Sequence, residues 1–437
     1  MNLHSLALSR IESGGEPVRV GLIGAGKFGS MFLSQVPTSP LEVVAVADLD
    51  PERARDACRM VGWSNDRIEK VAFLEDAIDM IARNDVDIVL EVTGSPAAGI
   101  RHARAAFANG KDVVMVNVEA DALAGPLLAR EAKSAGVVYS MAYGDQPAMI
   151  CELVDWARAT GFEVVAAGKG TKYLPSYHAS TPETVWGYYG LSAEEAAAAG
   201  MNSKMFNSFL DGTKSAIEMA TVANAAGLVP ASDGLGFPAV AIGDLQNSLI
   251  PHEDGGLLSG AGQVEVVSCL RRDGSEIADN LRWGVYAVFR APNDYASDCF
   301  RQYGVRTDSS GRYAAIYRPF HLIGLELGIS VLSVALRKEP TGQTRGFNAD
   351  VVSIAKRDLK KGEELDGEGG YTVWGKALPA EDSLNLGALP IGLAHGATIR
   401  KPVNRGDIVC WDDVDLGADS EPVTARRHME KIFGRAG

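Results

Sequence analysis

A chain of 437 residues has room for two or three domains with hydrophobic cores of their own. With 46% apolar and 22% charged residues it is neither a small stapled scaffold nor a chain with long disordered spans. A formal charge of −14, and no Lys/Arg run interleaved with aromatics, argues against a nucleic-acid platform or an anionic membrane surface. Any anionic substrate therefore needs a local basic pocket.

The five cysteines, Cys58, Cys151, Cys269, Cys299 and Cys410, are odd in number, widely spaced and free of metal-ligand spacing, which points to a reducing, cytoplasmic compartment. The opening "MNLHSLALSRIESGGEPVRV" lacks the basic start and apolar core of a secretory signal. The most apolar stretch, "HLIGLELGISVLSVAL", contains Glu326 and is too short to span a membrane comfortably. A soluble protein is expected.

Residues 18–29, "VRVGLIGAGKFG", read as a short strand followed at once by a G-x-G-x-x-G loop. Glycine is needed there for a tight turn, for backbone approach to a pyrophosphate and for close packing of the next helix. Gly24, Gly26, Lys27, Phe28 and Gly29 are the expected cofactor loop. The next apolar run, "LEVVAVADLD", carries Asp48, nineteen residues after Gly29, where a carboxylate can take the ribose 2′-hydroxyl. Asp48 favours NADH over NADPH, whereas Arg53, five residues on, can accept a 2′-phosphate if Asp48 turns away; both cofactors stay open.

Strands and helices then alternate through "VDIVLEVTG" (86–94), "AAGIRHARAAFANG", "KDVVMVNVE" (111–119), "LLAREAKSAG" and "VVYSMAYGDQP". That beat implies a parallel, doubly wound sheet, whose ligands gather at the carboxyl ends of its strands. Thr93, Gly94, Asn117 and Glu119, with the turn 144–146, are placed near the nicotinamide. The expected α/β organisation is a Rossmann domain over 1–155, an α+β catalytic domain over 156–344 and a small β-rich domain over 345–437. The stretch 320–337 reads as a buried helix packing back on the Rossmann domain.

The segment "NSKMFNSFLDGTKSAIEMA" (202–220) sets Lys204, Asn207, Asp211, Lys214 and Glu218 within a sector of roughly 80° on an ideal helix. Such a stripe is either a wet surface with i,i+3 and i,i+4 pairs or a catalytic one. Gly212 within it hints at a turn or a close ligand approach. Reduction of a carbonyl needs a proton donor and cations facing the developing alkoxide. Lys172 and Lys204 are assigned to the substrate anion or carbonyl, and Lys214 with Asp211 to the proton; Arg318 and His321 are weaker phosphate-side candidates, with His321 also readable as a core histidine.

The dinucleotide motif, "VVMVNVEAD", "GDQP" and "FNSFLDGTKSAIE" together resemble the homoserine dehydrogenase-like superfamily. They resemble more closely the 1-deoxy-D-xylulose 5-phosphate reductoisomerase-like proteins of the second type, a likeness that extends to "GKGTKYLP", "STPETVWGYYG" and "YRPFHLIGLELGISV". The tail, with "AKRDLKKGEELDGEGGYTVWGKALP" and "LPIGLAHG", is similar to a SAF domain. The resemblance implies NADPH-dependent reductive isomerisation of 1-deoxy-D-xylulose 5-phosphate to 2-C-methyl-D-erythritol 4-phosphate, a step of isoprenoid precursor synthesis. It also implies a divalent metal, Mg²⁺ or Mn²⁺, on the substrate oxygens and a homodimer. Glu119 and Asp145 could contribute metal oxygens, but no spacing specifies the ligands. Asn117 is followed by Val118 and Glu119 where homoserine dehydrogenases carry a lysine, which turns the reading away from homoserine oxidation. Two alternatives stand beside it: a dehydrogenase of another small polyol, sugar acid or hydroxy acid, and a non-catalytic dinucleotide-sensing or assembly protein.

Overall fold

The computed structural model describes residues 2–417 and 420–434, which divide into two compact units. Of the described residues, the first comprises those up to Glu152 together with His321–Arg345 and Thr424–Met429; the second comprises those of Leu153–Phe320, Gly346–Val423 and from Glu430 to 434.

The first unit is built on β1 (Val18–Ile23), β2 (Leu41–Ala47), β3 (Ala72–Leu74), β4 (Ile88–Glu91), β5 (Asp112–Met115) and β6 (Tyr139–Met141). All six pair in parallel, in the order β3-β2-β1-β4-β5-β6. The order reverses at β1, beside β4, which is where a doubly wound sheet opens a ligand crevice. The strands β4 and β5 are buried at every residue, as expected of strands covered by helices on both faces. Residues 321–345 complete this unit. Leu327, Val331 and Val334, at and within the helix Gly328–Arg337, join the core of Leu22, Val46, Leu90 and Val114. Beyond that helix, Gly342 accepts the Met141 N–H at 2.8 Å and Gln343 donates to the Tyr139 carbonyl, so the free edge of β6 is covered.

The second unit holds a sheet of β7 (Glu163–Thr171), β8 (Gln263–Ser268), β9 (Val285–Arg290) and β10 (Tyr313–Arg318), in the order β10-β9-β7-β8. Only β7 and β8 run parallel; the other pairs are antiparallel. At Gly168 and Gly170 a Cβ would fall 1.8 Å from the carbonyl oxygens of Glu265 and Leu281. The "GKG" of β7 is therefore a packing requirement around Lys169.

Residues 346–423 lie within this second unit, although the sequence suggests a separate tail from 345. They form the hairpin β11 (Ala349–Ala355) and β12 (Val373–Pro379) and a short pair, β13 (Thr398–Ile399) and β14 (Val414–Asp415). Asn224, buried on the helix Thr213–Ala226, explains the union: its Oδ1 accepts the N–H groups of Asn348 and Ala349 at 2.7 and 2.9 Å, and its Nδ2 donates to the Ala349 carbonyl. Thr213 Oγ1 accepts the Gly375 N–H at 2.8 Å. Among the described residues, no helix is long and apolar enough to cross a membrane.

Candidate active site

The glycine loop follows β1 directly. Gly24 has φ +95°, and a Cβ on Gly29 would sit 2.3 Å from the Gly24 carbonyl oxygen, so neither position tolerates a side chain. Gly26 is different: nothing of the protein lies within 4 Å of its imagined Cβ. It precedes the helix Lys27–Gln35, whose first turn receives no side-chain cap. Free N–H groups at a helix start facing open space suit a pyrophosphate, so the residues present fit a dinucleotide. Lys27 and Phe28 open that helix, exposed and half-buried respectively.

Asp48 is buried at the end of β2, and its carboxylate is already engaged. Oδ2 accepts the Ala25 N–H of the loop at 2.9 Å; Oδ1 accepts the Asp50 N–H at 3.1 Å and Arg53 Nη2 at 2.5 Å. Asp48 thus clamps the loop, keeps lone-pair capacity on Oδ2 for a hydroxyl and holds Arg53 beside it. At the carboxyl end of β4, Thr93 and Gly94 are exposed. The Thr93 hydroxyl donates to buried Glu91 at 2.5 Å, and His102 Nδ1 lies 3.1 Å from the same carboxylate oxygen. Asn117 is spent on structure: Nδ2 donates to the Ser95 carbonyl at 2.7 Å and to Thr93 Oγ1, while Oδ1 caps the helix Val118–Ala135 through the Ala120 N–H. It positions Thr93 and Ser95. Glu119 lies half-buried in the first turn of that helix.

In the second unit the polar stripe is not one helix. Gly212 at φ +92° ends the helix Ser203–Asp211 and begins the helix Thr213–Ala226. Nor is the stripe wet, since Asn207, Asp211 and Glu218 are 0, 0 and 3% exposed. The partners differ from those helical spacing suggests: Asp211 pairs with Lys356, and Glu218 with Lys169 in a buried ion pair. The Lys356 ammonium donates to Asp211 Oδ2 at 2.7 Å and to the carbonyls of Ser180 and Gly370, both at 2.8 Å, so all three of its hydrogens are used. The other Asp211 oxygen accepts the Thr213 N–H at 2.9 Å. Burial pushes the Asp211 carboxyl up, against the pull of Lys356. Asp211 therefore holds the start of the second helix, which carries half-buried Lys214.

Lys204 donates to the Asp366 carbonyl at 3.1 Å, and Lys172 donates to the Tyr188 carbonyl at 2.6 Å while lying over the Tyr189 ring. Burial, then the nearby Arg282, lowers the Lys172 pKa. Arg318 ends β10 in the second unit, whereas His321 opens the segment that belongs to the first.

Three polar residues here carry no signal in the local sequence. Lys356 is one, 145 positions from Asp211. His178 and Tyr173 are the others. His178 Nδ1 is 2.7 Å from the Asp211 carbonyl, which can only accept, so Nδ1 carries the hydrogen. Burial holds the ring neutral, with a pKa lowered to about 4, and Nε2 then accepts from the Tyr173 hydroxyl at 2.8 Å. Among the described residues no group of three or more His, Cys, Asp or Glu is placed to hold a metal ion. Among the described residues, the Mg²⁺ or Mn²⁺ that the resemblance implies therefore finds no such group of ligands.

Residues 20–141 match the family described as homoserine dehydrogenase, NAD binding domain, and residues 144–327 match oxidoreductase DRL, catalytic domain. A homoserine dehydrogenase of Neisseria gonorrhoeae is 29% identical over 112 residues, covering 23% of this chain and 23% of that protein. Among solved structures, a myo-inositol dehydrogenase from Lactobacillus casei in complex with NAD(H) and myo-inositol is similar with TM-score 0.29 and 21% identity, over 39% of this chain and 50% of that one. A probable dehydrogenase from Thermotoga maritima is similar with TM-score 0.39 and 14% identity, over 74% and 90%. The chain thus spans under a quarter of the curated relative and half of the inositol enzyme. The two domain matches thus place a homoserine dehydrogenase-type NAD-binding domain ahead of a DRL-type oxidoreductase catalytic domain along this chain, each over less than half of its length.

Proposed function

We propose that the chain is an NAD(P)-dependent oxidoreductase of a small phosphorylated sugar, converting 1-deoxy-D-xylulose 5-phosphate to 2-C-methyl-D-erythritol 4-phosphate as a cytoplasmic homodimer. The observation that carries the reading is the order along one chain: an open pyrophosphate cradle at Gly26, then a DRL-type catalytic domain from residue 144. The sequence likeness to reductoisomerase-like proteins supplies the substrate, and the tail is read with it as SAF-like.

A reduced nicotinamide dinucleotide, when bound, would supply a hydride to the aldehyde carbon formed once the substrate's C3–C4 bond has broken and its C2–C4 bond has formed. The chain's own residues do the rest. Lys214, half-buried on the helix Thr213–Ala226, gives a proton to the developing alkoxide. Lys172, its pKa lowered by burial, polarises the carbonyl, and Lys204 attracts the substrate phosphate. Asp211 is a positioning residue, because its carboxylate is committed to Lys356 and to the backbone that starts the Lys214 helix.

A simple NAD-linked oxidation of a polyol or sugar acid is the second reading, favoured by Asp48, whose carboxylate opposes a 2′-phosphate. The test is oxidation of NADPH and of NADH by purified protein with 1-deoxy-D-xylulose 5-phosphate and Mg²⁺ or Mn²⁺, beside Lys214→Ala. Turnover that yields a rearranged carbon skeleton and disappears in the variant is the expected result. Tight dinucleotide binding without turnover overturns the reductoisomerase reading, and oxidation of a polyol with its skeleton intact puts the second in its place.

A further inference from the structure

On the side of the helix Thr213–Ala226 that carries Gly212 and Ala216, a cleft of about 270 Å³ opens within the second unit. Lys214 is two residues from each, roughly 160° around the helix, and projects away from it. The cleft therefore lies on the opposite side of that helix from the proton donor proposed above.

Its walls are ring faces. His178 stacks on Trp374 with centroids 3.8 Å apart and planes 19° from parallel; Phe237, a second wall, stacks on Tyr173 at 4.0 Å. Phe237 is also one of three non-glycine residues at positive φ among the described residues, +48°. It is held there by Glu265, whose carboxylate accepts the N–H groups of Gly236 and Phe237 at 3.0 and 3.2 Å. Strain of this kind persists only where the surroundings over-determine it, and ligand clamps are a common setting.

Two charged residues line the same cleft, Asp233 and Lys376. Neither side chain makes a hydrogen bond or ion pair, with the other or with any described residue. The charges beneath them are already matched: Asp211 with Lys356, and Glu265 with backbone N–H groups. Opposite charges left unpaired across so small a space are complementary to a ligand that carries both signs.

The structure assigns this cleft to a small zwitterion bearing a flat apolar group, of the chemical class of a free aromatic α-amino acid. Lys376 takes the carboxylate, Asp233 takes the ammonium, and the ring lies against Trp374 and Phe237. The volume sits just under the usual range of ligand pockets, roughly 300–1,000 Å³, which suits one ring and a charged head and excludes a dinucleotide. One wall, Trp374 to Ala377, is part of β12, so residues 346–423 gain a binding role through this site.

The assignment is tested by calorimetric titration of the full chain with L-phenylalanine, phenethylamine and 3-phenylpropionate, which keep the ring and remove one charge at a time. L-Phenylalanine is expected to bind saturably, and loss of either charge to weaken binding roughly tenfold. Lys376→Met should close the gap between L-phenylalanine and phenethylamine only. Asp233→Asn should close the gap to 3-phenylpropionate only. Both variants should bind NADH as the parent does. No saturable heat with L-phenylalanine at millimolar concentration overturns the assignment, as does 3-phenylpropionate binding as tightly as the amino acid, or gaps that both variants leave unchanged.

Discussion

The glycine loop of the first unit and the buried ion pair of the second are both polar features inside well-packed surroundings, but they are assembled over different distances. The loop is made by residues 24–29 and anchored by Asp48, all within one strand–helix–strand passage. Asp211 and Lys356 are 145 positions apart and meet only once the hairpin β11–β12 has packed on the helix that Gly212 begins. A turn is specified by local sterics, and its residues report it. A buried ion pair is specified by the tertiary fold, and neither member reports the other. The loop should therefore fail locally when altered, and the pair globally.

The largest effect is expected for Lys356→Met. It leaves Asp211 buried without its countercharge and takes the donor from the Ser180 and Gly370 carbonyls, at a cost of about 3–5 kcal/mol. Urea unfolding measures it directly. Pairing the change with Asp211→Leu should recover part of the loss, because an absent pair costs less than a broken one. A single variant as stable as the parent would mean that the pair does not organise this region.

Glu265 gives the next effect. Burial lifts its pKa from the ordinary 4.5 to about 7, against three backbone N–H groups that favour the carboxylate. Between these values the folded protein binds more protons than the unfolded chain, so the stability this group lends is full below pH 4.5 and is lost as pH rises through about 7. Glu265→Gln cannot ionise. The variant should lose less stability than the parent between about pH 5 and about pH 8, by up to about 3 kcal/mol. Parallel stability–pH curves would show that Glu265 titrates normally.

These two residues show where sequence reading stops. The six-stranded sheet was legible because its strands are continuous apolar runs and its helices alternate with them, and Asp48 because it sits at a fixed distance after the loop. The stripe at 202–220 was legible as a cluster but not as an arrangement. Helical periodicity pairs Asp211 with Lys214 and Lys214 with Glu218, whereas Gly212 breaks the helix and burial hands both carboxylates to lysines from other elements. The tail was legible as β-rich, but its union with residues 153–320 rests on the hydrogen bonds of Asn224, an unremarked residue of an apolar helix. The cleft of His178 and Trp374 likewise joins positions almost two hundred residues apart.

Within the loop, Gly29→Ala would force a Cβ to 2.3 Å from the Gly24 carbonyl, which the backbone can relieve only by moving the helix start. A stability loss of about 1–3 kcal/mol is expected. NADH affinity should fall by at least roughly tenfold, with the second unit's near-ultraviolet circular dichroism unchanged. If dinucleotide binding survived, Gly26 and the uncapped helix start would not be the pyrophosphate site.

The smallest structural effect belongs to Arg53, and it is the most informative for the cofactor. Its side chain is 62% exposed, so its pairing with Asp48 contributes at most about 1 kcal/mol, and Arg53→Ala should melt within a few degrees of the parent. Its chemical effect depends on which partner it serves. If Arg53 leaves Asp48 to meet a 2′-phosphate, the variant loses NADPH affinity while NADH affinity holds or rises, since Asp48 Oδ1 is then released to a ribose hydroxyl. If Arg53 only braces Asp48 and the loop it clamps, both affinities fall together. The ratio of the two dissociation constants, rather than either alone, separates a phosphate ligand from a brace, because only the first distinguishes cofactors that differ at the 2′ position.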